Sequence, residues 1–438
     1  MQAPVGNDVS SRVFISSIKT HLGSTVVLRG WVYRLRVLAK TTFVVLRDSS
    51  GEVQCVGDSR IFGHLHLKLD DAIEVVGAVR SEPRAKLGYE VDIDEIRVLN
   101  PAMNKLPFNA SADISSVGLE ARLDYRPLAV RNDSVGNVFR VQGALLVYFR
   151  QYLREHGFTE IITSKIVASG TEGGTNLFPL NYFDRVAYLA QSPQFYKEHG
   201  VAAFERVFET GHVYRAEPHA SSRHLTEYYS LDLEFGFIDS AEDVIQLEKE
   251  LLTWMFEQMN RDQSTLLNAL GVAPLPSLTN APTWEFEDCL KRLLRAHGTS
   301  HLSDDLDPEA ERRLCAIAEA ECGVPAVFVV GFPLSGRPFY SAPRGNGGAA
   351  QSFDLLFRGV ETTTGGQRLH RREDLESALL ARGIDPTSFA GHLRMFELGM
   401  PPHGGLAIGL ERLTMQVLGL ANVREAVLYP RDRDRLAP

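Results

Sequence analysis

The sequence predicts an α+β protein of two domains, a small all-β module followed by a larger domain with a mainly antiparallel sheet flanked by helices. Three observations predict it. Residues 1–104 form a string of short β-rich runs. Apolar residues then switch to helical spacing, and the later runs alternate with helices irregularly, without the regular spacing of a doubly wound sheet. At 438 residues the chain is also too long for one small core.

The N-terminal runs are Val26–Val32, Thr42–Leu46, Val53–Val56, Ala72–Val79 and Val91–Val98, rich in Val, Ile and aromatics and separated by turn clusters such as Asp48-Ser49-Ser50-Gly51. Five short strands suit a small barrel of the oligonucleotide-binding kind, and a β-sandwich equally. Pro101 and Pro107 mark the linker, and the boundaries are set at residues 1–104, a hinge at 105–132, and 133–438. From Val138 to His156 apolar residues recur at Val138, Val141, Leu145, Leu146, Phe149 and Leu153, with Gly157 as a stop, which predicts an amphipathic helix. A longer helix is expected over Ala241–Leu270 and a shorter one over Asp374–Arg382. Strands are expected at Phe158–Thr163, Ala187–Leu189, Tyr228–Ile238, Ala326–Val330 and Leu406–Ile408.

Composition narrows the function classes. Hydrophobic residues at 44% with charged residues at 23% are the balance of a globular, water-soluble chain. There is no apolar run of membrane-spanning length, and the N-terminus has no basic segment leading into an apolar stretch. Neither a membrane span nor a signal peptide is expected. Cys55, Cys289, Cys315 and Cys322 are scattered without C-x-x-C pairs, which points to the reducing cytoplasm and to no structural zinc. The net charge of -9 is uneven: residues 1–104 hold 13 basic and 12 acidic side chains, the remainder 33 and 43. A nearly neutral N-terminal module can present a local basic surface to RNA.

No Gly-Lys-Ser/Thr phosphate loop and no Rossmann fingerprint is present, so a nucleotide site would have to be built from arginines and metal ligands. Four segments offer such groups. In Val213–Ile238, Arg215 and Glu217 have strand spacing, His219–Arg223 reads as a turn, and Asp232 and Glu234 alternate with Leu231, Leu233 and Phe235. This segment is either a solvated sheet face with ordinary ion pairs or a phosphate-binding cleft, for which arginine supplies a planar fork. In Phe353–His370, Asp354, Glu361, Thr364, Arg368 and His370 crowd around a Gly-Gly pair. Glu361 and Thr364 are hard oxygen ligands that suit Mg2+, unless Glu361 is an ordinary surface residue. In Pro401–Arg412, Gly404, Gly405 and Gly409 would let a nucleotide approach the backbone, and Arg412 at a helix start could meet a terminal phosphate. In Gln191–Lys197, Lys197 either neutralises a substrate carboxylate or is a surface charge.

Together these segments resemble the three signature motifs of the class II aminoacyl-tRNA synthetases, and more closely the aspartyl-tRNA synthetases of the archaeal type, which also occur in some bacteria. Val138–Glu172 resembles the first motif, followed by the family's Thr-Glu-Gly-Gly signature at Thr171–Gly174. Val213–Glu234 resembles the second, and Gly404–Arg412 with its helix the third. The tail Asn422–Pro438 also matches. The resemblance spans essentially the whole chain.

It implies a two-step ligase that uses ATP to make aspartyl-adenylate and then charges tRNA(Asp), with tRNA(Asn) a further acceptor to be decided. Arg215 would bind the α-phosphate and the substrate carboxylate, Glu217 the adenine side, and Arg223, His224 and Leu225 would flank ATP together with Gly409. Glu361 and Thr364 would hold magnesium and Arg412 the γ-phosphate. Glu172, Gln194 and Asp232 would surround the α-ammonium of L-aspartate, while Arg368 and Lys197 would receive its side-chain carboxylate. In the barrel, Phe43 would stack on an anticodon base and Gln54 would read one. The first motif implies a homodimer. Three positions depart from the family pattern: Ser164 where a proline is usual, Gln351 where lysine is common, and Thr364 for serine. The alternatives are an asparaginyl-tRNA synthetase or derived paralogue, and a non-catalytic RNA-binding or regulatory protein that has kept the fold.

Overall fold

Burial alternates along two of the N-terminal strands, Thr41–Arg47 and Ala72–Ser81, and pairing closes all five on themselves. In the computed structural model, which describes residues 11–437 except 64, 104, 171–175, 219–220, 298–304 and 346–347, the chain divides into two units, Met1–Asn132 and Asp133–Pro438. In the first, β1 (Thr25–Val37), β2 (Thr41–Arg47), β3 (Glu52–Asp58), β4 (Ala72–Ser81) and β5 (Tyr89–Asn100) form a closed barrel in the order β1-β2-β3-β5-β4. β3 and β5 pair parallel and the other neighbours antiparallel. The barrel, and not a sandwich, is therefore what the five runs build, and closure leaves no open edge. Val44, Leu46, Val53, Cys55, Ile73, Val75 and Val91 fill its interior. The turn between β2 and β3 is organised by Asp48, whose carboxylate accepts from the backbone N–H groups of Ser50 (2.7 Å) and Gly51 (3.1 Å). β1 runs five residues beyond Val32, past a bulge between Val32 and Arg34. A Cβ at Gly77, where the β4–β5 register shifts, would lie 2.2 Å from the Asp92 carbonyl oxygen, so this crossing needs glycine.

The second unit is built on an eight-stranded sheet. Its strands are β6 (Thr159–Glu160), β7 (Arg206–Tyr214), β8 (Glu227–Gly236), β9 (Thr283–Glu285), β10 (Ala326–Val330), β11 (Ser352–Phe357), β12 (Val360–Gln367) and β13 (His403–Gly409), in the order β9-β10-β11-β12-β13-β8-β7-β6. Only the outermost pairs, β9–β10 and β6–β7, are parallel. Among the helices that contact this sheet are α1 (Asp133–Glu155), α2 (Gln194–Phe204), α3 (Ala241–Asp262), α4 (Pro308–Cys322) and α5 (Leu410–Leu418). Val141, Leu145 and Phe149 of α1, Leu251 and Met255 of α3, and Leu413 and Val417 of α5 pack with Leu231, Leu233, Leu355, Leu406 and Ile408 of the sheet in one core. α3 starts at a capping box in which Ser240 and Asp243 satisfy each other's backbone donors. No helix of the described residues is long and apolar enough to cross a membrane.

Two expected elements are shorter than the periodicity suggests. The helix expected over Ala241–Leu270 stops at Asp262. Gln263 leaves helical geometry, and a separate short helix, Ser264–Ala269, comes after it. Of Phe158–Thr163 only Thr159–Glu160 pairs as a strand, at the sheet edge; the Thr163 N–H instead donates to the Glu209 carboxylate at 3.0 Å.

One buried acid in this core makes stability depend on pH. Glu248 on α3 is fully buried; burial, then the charge of Asp354, pushes its carboxyl from 4.5 to about 8. Between those values the unfolded chain releases a proton that the folded chain keeps, so stability falls as pH rises through this window. Glu248→Gln, which mimics the neutral acid, is expected to raise Tm at pH 8 and much less at pH 5. Equal shifts at both pH values would refute the assignment.

Candidate active site

Along β8 the residues between Leu231, Leu233 and Phe235 turn away from the helical core, as period-two spacing requires. Nearby opens a cavity of about 620 Å³, and most of the residues singled out from the sequence converge on it.

Its first wall comes from the β7–β8 connection and α5. Arg215, Glu217, Arg223, His224, Leu225, Gly409 and Arg412 all line the cavity. Arg215 and Glu217 are not strand residues as their spacing suggests: β7 ends at Tyr214, and Arg215 is held by its N–H to the Thr226 carbonyl at 2.9 Å. Glu217 and His224 approach to 3.5 Å. Arg223 makes a two-pronged ion pair with Glu311 at 3.0 and 2.6 Å. Arg412, in the first turn of α5, donates to the Glu361 carbonyl at 3.0 Å and lies 3.7 Å from that residue's carboxylate.

The second wall is the β11–β12 hairpin. Its register places Asp354 directly opposite Thr364, and the Thr364 hydroxyl donates to Glu361 at 2.8 Å. Burial raises the Glu361 carboxyl, but Arg412, the Thr364 hydroxyl and Arg337 outweigh it and hold the group below its ordinary value. Asp354 goes the other way, raised by burial and by the charge of Glu361 although Arg337 grips it at 2.9 and 2.6 Å. The hairpin thus joins two carboxylates and a hydroxyl, all hard oxygens; no cluster of three His, Cys, Asp or Glu suited to a metal exists among the described residues.

The third wall, formed by Gln194 and Arg368, sits on a buried charge cluster. Lys197 is 1% exposed and does not line the cavity: its ammonium lies 2.9 Å from Asp232 and 3.4 Å from Glu234. Arg368 donates to Glu234 at 3.0 Å and to the Gly405 carbonyl at 3.0 Å. Gln194 donates to Glu198 at 2.8 Å and to Glu234 at 3.3 Å. The cost of burying Glu234 is offset by these cations, which hold it below its ordinary value. Asp232 and Glu234 are therefore not on a solvated sheet face, nor is Lys197 a surface charge. Glu172 lies outside the described residues.

Phe43 and Gln54 belong to the barrel unit. Phe43 alternates with the buried Thr42 and Val44, so its half-buried ring lies on the outer face and not among the core side chains. Arg36 stands directly opposite it on β1 and is exposed. Gln54, opposite Val45, shares that face and donates to Glu90 at 2.6 Å.

Three residues at or beside the cavity have no role assigned from the sequence. Asp354 stands in its crowded segment, and the signal for a role is its hairpin register with Thr364. Arg337 and Glu311 have no local signal, because their partners lie 17 and 88 residues away.

The family of class II tRNA synthetases (D, K and N) matches residues 118–433, and the OB-fold nucleic acid binding domain matches residues 26–99. The chain is 45% identical to the aspartate–tRNA(Asp/Asn) ligase of Deinococcus radiodurans, over 98% of this chain and 99% of that one. It is 38% identical to the aspartate–tRNA(Asp) ligase of Pyrobaculum aerophilum, over 95% and 96%. Among solved structures it resembles the asparaginyl-tRNA synthetase of Pyrococcus horikoshii complexed with asparaginyl-adenylate, with a TM-score of 0.89, 28% identity and coverage of 98% and 100%. The aspartyl-tRNA synthetase of Entamoeba histolytica matches with a TM-score of 0.84 and 27% identity, covering 98% of this chain and 93% of that one.

Proposed function

Because the chain belongs to the class II tRNA synthetases and, within them, to the aspartate–tRNA ligases, we propose that it condenses L-aspartate with ATP to aspartyl-adenylate and diphosphate, then transfers the aspartyl group to the 3′ end of tRNA(Asp). The observation that carries the site-level reading is the one cavity that gathers Arg215, Arg223 and Arg412 with the Asp354–Glu361–Thr364 cluster and Arg368.

Activation forms a bond from the aspartate α-carboxylate to the α-phosphorus and breaks the bond to the β-phosphate. It needs no protein nucleophile, only alignment of two anions and compensation of charge at phosphorus. Arg215 aligns the α-phosphate with the carboxylate. Arg412 takes the γ-phosphate, and Glu217 accepts from the adenine amino group between Leu225, His224 and Gly409. Glu361, Thr364 and Asp354, all hard oxygens, form a donor set that fits Mg2+ and would hold it. Bound there, the ion supplies positive charge to the phosphates. Gln194, together with Asp232 and Glu172, meets the α-ammonium. Arg368 meets the side-chain carboxylate. Lys197 supports it from beneath by offsetting the charges of Asp232 and Glu234. In the second step the terminal ribose hydroxyl of tRNA attacks the adenylate carbonyl and AMP leaves. Aspartate-dependent ATP–pyrophosphate exchange tests the reading, and its absence from the purified chain would overturn it.

On the barrel, Phe43 stacks on an anticodon base and Gln54 reads a base edge, beside exposed Arg34 and Arg36. Phe43→Ala is expected to lower the rate of tRNA charging ~10-fold, the scale of one base–aromatic stack, while pyrophosphate exchange stays within about 2-fold. An equal loss in exchange would make Phe43 a structural residue. The name of the Deinococcus relative covers both tRNA(Asp) and tRNA(Asn), which favours tRNA(Asn) as a second acceptor here. Charging assays with each tRNA decide the point.

The chain acts as a homodimer. Large apolar side chains of the second unit, among them Val147, Ile162, Ile166, Phe183 and Val186, are exposed in the single chain, as a two-fold interface built around the first motif requires. Sedimentation at micromolar concentration is expected to give twice the 48.6 kDa chain mass, and a single species of that mass would refute the dimer.

A further inference from the structure

We infer that Glu311 on helix α4 is a positioning residue for the nucleotide, holding the Arg223 guanidinium and the Glu361 backbone where ATP meets them. The inference rests on the reading of the cavity as an ATP site. Two acidic side chains in the first turn of α4 have opposite surroundings. Glu309 pairs with Arg312 and Arg313 at the surface, whereas Glu311 is 2% exposed. A carboxylate is buried at a cost unless its oxygens are well supplied with donors.

Here the donors come from two distant segments. Arg223 presents both terminal nitrogens, at 3.0 and 2.6 Å, and the Glu361 backbone N–H donates to Glu311 at 2.9 Å. Arg412 ties the same two segments from the other side, donating to the Arg223 carbonyl at 3.4 Å and the Glu361 carbonyl at 3.0 Å. Glu311 and Arg412 together clamp the loop that carries Arg223 to the strand that carries Glu361.

A second observation points to a ligand. Arg223 lines the cavity, and its Nε–H is buried without a hydrogen-bond partner among the described residues. Glu311 takes one N–H from each terminal nitrogen, and Nε is the guanidinium nitrogen with no partner, its N–H available to an anionic oxygen. A two-pronged arginine–carboxylate pair fixes the fork's plane. The rotamer entropy of a long side chain is thereby lost before ATP arrives and not on binding.

The test is pyrophosphate exchange with full-length Glu311→Ala, Glu311→Gln and Arg223→Ala, singly and as the Glu311→Ala/Arg223→Ala pair, with Tm measured for each. Glu311→Ala is expected to raise KM for ATP ~10-fold while KM for aspartate stays within about 2-fold. Glu311→Gln, which keeps one acceptor, should recover part of the loss. The double variant should lose less than the product of the two single losses, because Glu311 acts largely through Arg223. Where Glu311→Ala fails to fold, the Glu311→Gln split between the two KM values carries the test. A parallel rise in both KM values, or a multiplicative double variant, would overturn the inference while leaving the ligase reading intact. A wild-type chain without aspartate-dependent exchange would overturn that reading itself.

Discussion

Replacing Lys197 by leucine is expected to lower kcat/KM for aspartate activation by at least ~100-fold, to disturb asparagine far less, and to lower Tm. The ammonium sits between Asp232 and Glu234 and is 1% exposed, so its loss leaves two buried carboxylates, of which Glu234 keeps its ion pair with Arg368. Breaking a buried ion pair by removing one partner costs about 3–5 kcal/mol, part of which is relieved when a carboxylate takes up a proton. The substrate effect has a sign as well as a size. Without Lys197 the pocket floor becomes more negative, which repels the aspartate side chain and leaves the neutral amide of asparagine nearly untouched. The measurement is pyrophosphate exchange with each amino acid at saturating ATP and magnesium, alongside thermal unfolding. Equal losses for the two substrates with a lowered Tm would make Lys197 a purely structural counter-ion. A wild-type preference for asparagine would sink the aspartate assignment.

Glu361→Gln is expected to lower kcat for activation by roughly 10²–10³-fold and to raise the magnesium concentration needed for half-maximal rate. Arg412, the Thr364 hydroxyl and Arg337 together hold Glu361 ionised although it is partly buried. An isosteric amide removes that charge while keeping an oxygen near the Thr364 hydroxyl. The loss should appear as weaker Mn2+ binding to the ATP complex as well as slower exchange. An unchanged magnesium titration, whatever the rate, would remove Glu361 from the proposed magnesium ligands.

Much of this is legible in the sequence because it depends on local pattern. The five barrel strands declare themselves by short runs rich in Val, Ile and aromatics between polar turn clusters, and β10 occupies the span expected of it, Ala326–Val330. The long helix near Val138–His156 is set by 3.6-residue spacing, although the observed α1 begins at Asp133. Clustering of Arg, Glu and Gly over short spans marks the segments that line the cavity. Barrel against sandwich is not local, since it turns on the parallel pairing of β3 with β5, which no single strand encodes.

What the sequence alone determined, then, is the series of elements, the two-unit plan and the chemical types of the residues that line the cavity. These come from short-range rules of backbone geometry and side-chain periodicity. What only the tertiary structure decided is which charges meet. Alternation along β8 put Asp232 and Glu234 on one face, but only the packing of α2 against that face turned them into buried partners of Lys197. Likewise the 88 residues between Arg223 and Glu311 carry no trace of their pairing. A buried ion's environment is set by whatever long-range packing removes from water, and that depends on contacts between segments and not on the spacing within any one of them.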